Sequence, residues 1–137
     1  MMRSGEKMPD VLYDTRFFLA KYAAKEHSLR RKLQAELDVD KPRYASSITI
    51  HEVYRIALET EGREVAKIRK AAIQKDFQII DVDADIASEA AEIKVTQAGD
   101  FPLADAIIGA TAVLRKLVCF TDDHHLRSLA GLKTRWV

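Results

Sequence analysis

The chain has 137 residues, 47% of them hydrophobic and 31% charged, which suits one soluble globular domain and excludes disordered, collagen-like and coiled-coil chains. Its single cysteine, Cys119, rules out an internal disulfide and a four-cysteine zinc ribbon, and within the apolar run 117–120 it reads as a buried, inert thiol. The formal net charge of +1 does not announce a nucleic-acid binder.

That total conceals an asymmetry. Residues 1–75 carry 16 Lys plus Arg against 11 Asp plus Glu, net +5, and residues 76–137 carry 6 against 10, net −4. Two explanations stay open at this level: solvated helix faces that happen to differ, or a polyanion-facing surface beside a cation-holding acidic pocket. The longest uncharged apolar stretch, 106–114, is about half of the roughly 20 residues a bilayer span requires, and the polar start leads into no signal-type apolar region. A soluble protein of a reducing cytoplasm is expected.

In chain order, residues 1–8 read as a flexible leader and residues 9–137 as one domain. Val11-Leu12-Tyr13 is short and β-favouring; after a turn at Asp14-Thr15, the spacing of Phe17, Phe18 and Tyr22 is helical. A second helix is expected over 28–38, ending before Asp40-Lys41-Pro42. Tyr44 to Ser46 reads as a strand; Ser47 or Thr49 then opens a helix to about Thr60, stopped near Gly62, and another helix runs from Arg63 to Lys75. Phe77 to Ile80 is a strand, Asp83 an N-cap, and the helix from Ala84 is expected to end at Gly99. Pro102 suits a first helical turn for 103–116; Leu117 to Thr121 is a buried strand, Asp122 to Leu129 a short helix, and Thr134 to Val137 an edge strand. Short apolar strands alternating with helices, without hairpin signals, predict an α/β fold: a mostly parallel sheet flanked by helices on both faces. In such sheets ligands bind beyond the carboxyl ends of the strands.

Four carboxylates fall at those places: Asp14, Glu52, Asp105 and Asp123. Each has a local alternative. Asp14 and Asp122 or Asp123 suit helix caps, Glu52 completes a capping box with Thr49, and Asp105 complements a helix dipole. Asp105 fits its alternative least well, because its helix is apolar on nearly every face and therefore buried. An ionised carboxylate there needs a cation, either a metal or Arg16 reaching across from the first helix. Several carboxylates converging at one sheet edge require a divalent cation, and oxygen ligands favour Mg2+ or Mn2+ over zinc. Such a site suits phosphodiester hydrolysis, in which the metal lowers the pKa of the attacking water and offsets charge on the phosphate.

These residues resemble the PIN-domain nucleases, and among them the small VapC-type toxins of toxin–antitoxin pairs, over nearly the whole chain from about Pro9. The family's opening strand and Asp-Thr is similar to 11–15, its Ser-rich turn and Glu-bearing helix to 45–52, its third helix to 103–112, and its strand leading to Thr-x-Asp to 118–126. The resemblance implies a three-layer PIN sandwich and a Mg2+- or Mn2+-dependent endoribonuclease. Asp14, Glu52, Asp105 and Asp123 would be its metal ligands, with Asp122 a further candidate, and Thr15, Arg16 and Thr121 would orient ligands or the scissile phosphate. It also implies an RNA substrate, a cognate antitoxin over the acidic groove and a homodimer. One departure concerns Arg16, which stands where the family commonly has Asn or another small polar residue.

Other residues stay nearer their plain readings. His124 and His125 read first as exposed loop histidines and only second as ligands, and His51 as lying on a helix face beside the site. Arg30-Arg31-Lys32 and Arg69-Lys70 read as solvated helix faces before RNA contacts, and Tyr44 and Tyr54 as core or rim. Two other classes remain: a non-catalytic PIN-like interaction module with Arg16 neutralising Asp105, and a phosphoacceptor receiver domain, disfavoured because no Lys-Pro follows the last strands.

Overall fold

The computed structural model describes residues 9–97 and 99–137, so the expected leader at 1–8 lies outside the described residues. Five strands, β1 (Val11–Tyr13), β2 (Arg43–Ser46), β3 (Gln78–Ile80), β4 (Val118–Phe120) and β5 (Thr134–Arg135), form one sheet in the order β3-β2-β1-β4-β5. Every pairing is parallel, with Val11 opposite both Arg43 and Val118. Strand order therefore reverses between β1 and β4, and such a switch point opens a crevice at the carboxyl ends of the strands.

Helices α1 (Thr15–Ala23), α2 (His27–Asp38), α3 (Ser47–Thr60), α4 (Arg63–Asp76), α5 (Ala84–Thr96), α6 (Leu103–Arg115) and α7 (His124–Arg127) cover both faces, as parallel strands buried on two sides require. The period-2 alternation of the strands sorts their side chains. Leu12 and Cys119 meet an aliphatic layer of Ile86, Ile93, Ile108 and Leu126. Val11, Tyr13 and Phe120 point the other way, into Phe17, Leu33, Val53 and Ile73. That second layer is aromatic at its centre: the Tyr13 ring lies 4.8 Å from Phe17 and 5.1 Å from Phe120, and Phe18 lies 4.9 Å from Phe77, within the range of favourable tilted and edge-to-face packing.

Several element boundaries shift by one residue from expectation, with α2 starting at His27, β2 at Arg43 and β3 at Gln78, α4 running to Asp76 and β4 covering Val118–Phe120; four other differences have more visible causes or extents. α5 stops at Thr96, because Gln97 is already extended at φ −83°, ψ 139°. α6 stops one residue early, where Lys116 turns left-handed at φ 56° and its N–H and that of Leu117 close the last turn on Ala112. α7 is only four residues long, and β5 covers Thr134 and Arg135 alone. The expectation that α6 is buried all round holds for Ala106 to Ala112 but not at its ends, where Leu103 is 60% and Leu114 43% exposed. No helix among the described residues is long and apolar enough to cross a membrane.

Candidate functional site

Each strand of the central pair ends in a polar residue held against the core. Asp14 follows β1 and is 1% exposed; Thr121 follows β4 and is also 1% exposed. Asp14 occupies the N-cap position of α1, yet its side chain makes no capping bond. Instead it accepts a hydrogen bond from the Thr121 hydroxyl at 2.7 Å, and that hydroxyl in turn accepts from the Asp123 N–H at 2.9 Å. One threonine thus fixes both acids. Asp123 does cap α7, accepting from the N–H groups of His125 and Leu126.

Glu52 comes from α3. The capping box expected with Thr49 does not form, because Ser46, three residues earlier, caps α3 by accepting from the Ile48 N–H. Thr49 is buried and lies 3.1 Å from Thr15 Oγ1, while Thr15 donates to Glu52 at 2.6 Å. Glu52 is thereby drawn over the start of α1. Asp105 stands in the first turn of α6 with its side chain 18% exposed.

The electrostatics of this edge are those of crowded like charges. Burial pushes the Asp14 carboxyl up to about 6 despite the Thr121 hydrogen bond, with Asp123 and Glu52 adding to the rise. Burial also pushes Asp105 up, and the negative charges of Asp123, Asp14 and Glu52 push in the same direction. The structure therefore brings all four acids into one mutually repelling group. Hard oxygen donors crowded beside one another are the set a small divalent cation stabilises.

The two remaining sequence candidates lie at the rim. Arg16 is 55% exposed and donates to Asp122 at 2.8 Å, so it does not neutralise Asp105: from the first turn of α1 it faces the β4–α7 loop. Asp122 is the partner of that arginine rather than a member of the crowded group.

The PIN domain family profile matches residues 11–132. The chain belongs to the PIN domain family. No curated protein matches it by sequence. Among solved structures it is similar to VapBC2 from Rickettsia felis bound to a promoter DNA fragment, with a TM-score of 0.76, 14% identity and coverage of 93% of this chain and 98% of that one. It is also similar to Mycobacterium tuberculosis VapC20, described as a sarcin-ricin loop cleaving toxin, with a TM-score of 0.73, 19% identity and coverage of 86% and 93%. A third, a toxin–antitoxin complex from Klebsiella pneumoniae, has a TM-score of 0.67, 24% identity and coverage of 89% and 94%. At these identities the likeness is one of fold.

Within this PIN fold one residue beside the acids was underweighted by its sequence context. His125 Nδ1 is buried without a hydrogen-bond partner and lies 3.5 Å from a carboxylate oxygen of both Asp105 and Asp123. Asp123, His124 and His125 together bring one potential ligand atom each to within 4.8 Å of one another. A His-His pair at the start of a four-residue helix carries no periodicity from which its direction is legible; only the pairing of β4 with β1 aims it at the acids. His51, by contrast, lines a separate concavity of about 500 Å³ with Ile50, Tyr54, Arg55, Leu58 and Lys70, a group that includes none of the four acids. Tyr44 packs half-buried against the aliphatic layer.

Proposed function

We propose that this PIN-domain protein is a Mg2+- or Mn2+-dependent endoribonuclease of VapC type, the toxin of a toxin–antitoxin pair. The observation that carries the reading is the crowding of Asp14, Glu52, Asp105 and Asp123 at the β1/β4 switch point, where two carboxyls are held above their ordinary range. A divalent cation bound there would supply charge neutralisation at a phosphodiester and lower the pKa of the attacking water. The remaining work falls to the chain. Thr121 holds Asp14 and Asp123 in register, Thr15 holds Glu52, and Asp105 enters from the N-terminus of α6. Arg16, 55% exposed beside Asp122, stands where it can orient the scissile phosphate.

The likeness to toxin–antitoxin structures supports a cognate antitoxin as partner, and the likeness to a sarcin-ricin loop cleaving toxin supports an RNA substrate; a homodimer and a cytoplasmic setting belong to the same proposal. The reading as a non-catalytic interaction module needed Arg16 to neutralise Asp105, and the pairing of Arg16 with Asp122 weighs against it. The test is cleavage of a defined RNA with Mg2+ by the parent protein and by Asp105→Asn. Cleavage by the parent that falls at least a hundredfold in the variant supports the reading. An Asp105→Asn variant that cuts as fast as the parent overturns it.

A further inference from the structure

The acidic edge poses a problem for any polyanionic substrate. Four carboxylates repel phosphates, and a cation bound among them offsets only part of that charge. Affinity for a long polyanion has to come from cations elsewhere on the molecule, since phosphate contacts dominate sequence-independent nucleic-acid binding. The structure gathers such cations in one place.

Residues 21–32 contain Lys21, Lys25, Arg30, Arg31 and Lys32 against one acid, Glu26. The amphipathic pattern of α2 fixes where its share of them points. Leu33 is fully buried, and Leu29 and Leu37 pack against the aromatic layer, while His27, Arg30, Arg31 and Gln34, at i, i+3, i+4 and i+7, form an exposed stripe flanking that apolar one. The end of α1 adds Lys21 to that stripe: Lys21, His27, Arg30, Arg31 and Gln34 line one shallow concavity of about 440 Å³. His27, Arg31 and Lys32 line a second, of about 390 Å³. Among the described residues none of the five lysines and arginines forms an ion pair with a carboxylate, although Arg16, Lys41, Arg55 and Arg135 all do. At one border the Tyr22 ring stands between Lys21 Nζ, 5.5 Å from its centroid, and the Arg69 guanidinium, at 4.2 Å, which extends the positive surface onto α4.

The patch is joined to the acidic edge by α1. Asp14 occupies the N-cap position of that helix and Lys21 lies in its last turn, seven residues on, a rise of about 10 Å at 1.5 Å per residue. We infer that the α1–α2 face, centred on Lys21, Arg30 and Arg31, is a sequence-independent docking surface for the phosphate backbone of single-stranded RNA, feeding it toward the carboxylate edge. This rests on the ribonuclease reading for the nature of the polyanion, but it is tested separately from catalysis.

The experiment measures binding of a fluorescein-labelled single-stranded RNA 12-mer of mixed sequence to the full chain in EDTA, by anisotropy, over 50–300 mM NaCl. Parent and Arg30→Gln/Arg31→Gln are compared, their circular dichroism and Tm confirming the same fold. Loss of two phosphate contacts is expected to raise Kd at least tenfold at low salt and to flatten the slope of log K against log salt by about 1.4, two contacts at about 0.7 each for single strands. Cleavage of a tetranucleotide with Mg2+ is expected to stay unchanged, while kcat/KM on a long RNA falls at least tenfold. Equal Kd values and equal salt slopes for the two proteins overturn the inference, whatever the cleavage arm reads. A parent protein that binds RNA with the expected slope but cleaves nothing leaves the surface standing and sinks the ribonuclease reading instead. Displacement of the RNA by a polyglutamate 12-mer at equal concentration also overturns the inference, because the face is then an acidic-protein site.

Discussion

Two carboxylate settings in this molecule, one around Glu36 and one at the β1/β4 edge, are built on opposite terms. Glu36, on α2, accepts from the Tyr13 hydroxyl at 2.7 Å, from Arg135 through both guanidinium nitrogens at 2.7 and 3.3 Å, and from Lys41 at 3.3 Å. Burial would raise its pKa, but Arg135, Tyr13 and Lys41 outweigh that and hold it at about 2. At the β1/β4 edge the carboxylates face one another, and Asp14 is pushed up to about 6. A fold able to furnish one carboxylate with three donors leaves four others short of positive charge. The difference separates a carboxylate that holds the fold together from a group whose crowding the proposed cation would relieve.

The comparison breaks most visibly at Asp105. Asp105→Asn is expected to lower RNA cleavage at least a hundredfold, the loss of a few kcal/mol of transition-state stabilisation. The same change relieves like-charge repulsion, so in EDTA it should raise Tm by about 3 °C, corresponding to about 1 kcal/mol. Calorimetry of the cation-free proteins checks the sign. Glu36→Ala should do the reverse. It leaves the Tyr13 hydroxyl and Arg135 without their acceptor and costs about 2–3 kcal/mol, with tetranucleotide cleavage unchanged at temperatures where the variant is folded.

The sign of the pH dependence follows from the depressed pKa of Glu36. Its contribution is present above its unfolded value of 4.5 and is lost as pH falls toward about 2. Tm measured between pH 5 and pH 2.5 should therefore fall more steeply for the parent than for Glu36→Ala. Thr121→Val sharpens the comparison from the side of the acids. It removes the hydroxyl that holds both Asp14 and Asp123, and should weaken Mn2+ binding tenfold to a hundredfold, as loss of a ligand-orienting partner does. The smallest effect is expected at Ser46→Ala, which removes the α3 cap that sets the entry of Glu52 and costs about 1 kcal/mol by thermal unfolding.

Much of this fold was legible because its signals are local. The strands β1, β2 and β4 are short apolar runs, Asp83 caps α5 through the Ile86 N–H as its position suggests, and Asp105 stood out because nothing basic shared its helix. What stayed hidden depends on contacts between distant parts of the chain. Thr49-x-x-Glu52 has the spacing of a capping box, but Ser46 takes the cap and Thr15, 37 residues from Glu52, takes the carboxylate. Arg16 pairs with Asp122 across 106 residues, a partnership that only the adjacency of β1 and β4 creates. The Glu36 network joins positions 23 and 99 residues apart and has no local signature at all. His125 was read as a loop residue because a four-residue helix gives no period; its unpartnered Nδ1 emerges only once α7 is docked beneath Asp105.

The central claim is that the β1/β4 edge is built to take a divalent cation. Isothermal titration of the full chain with Mn2+ at pH 7.5 tests it most directly, with Asp14→Asn and Asp105→Asn as comparisons and circular dichroism to confirm folding. The account predicts saturable heat of binding in the parent and affinity at least tenfold weaker in each variant. No heat in the parent, or the same affinity in all three proteins, would contradict it.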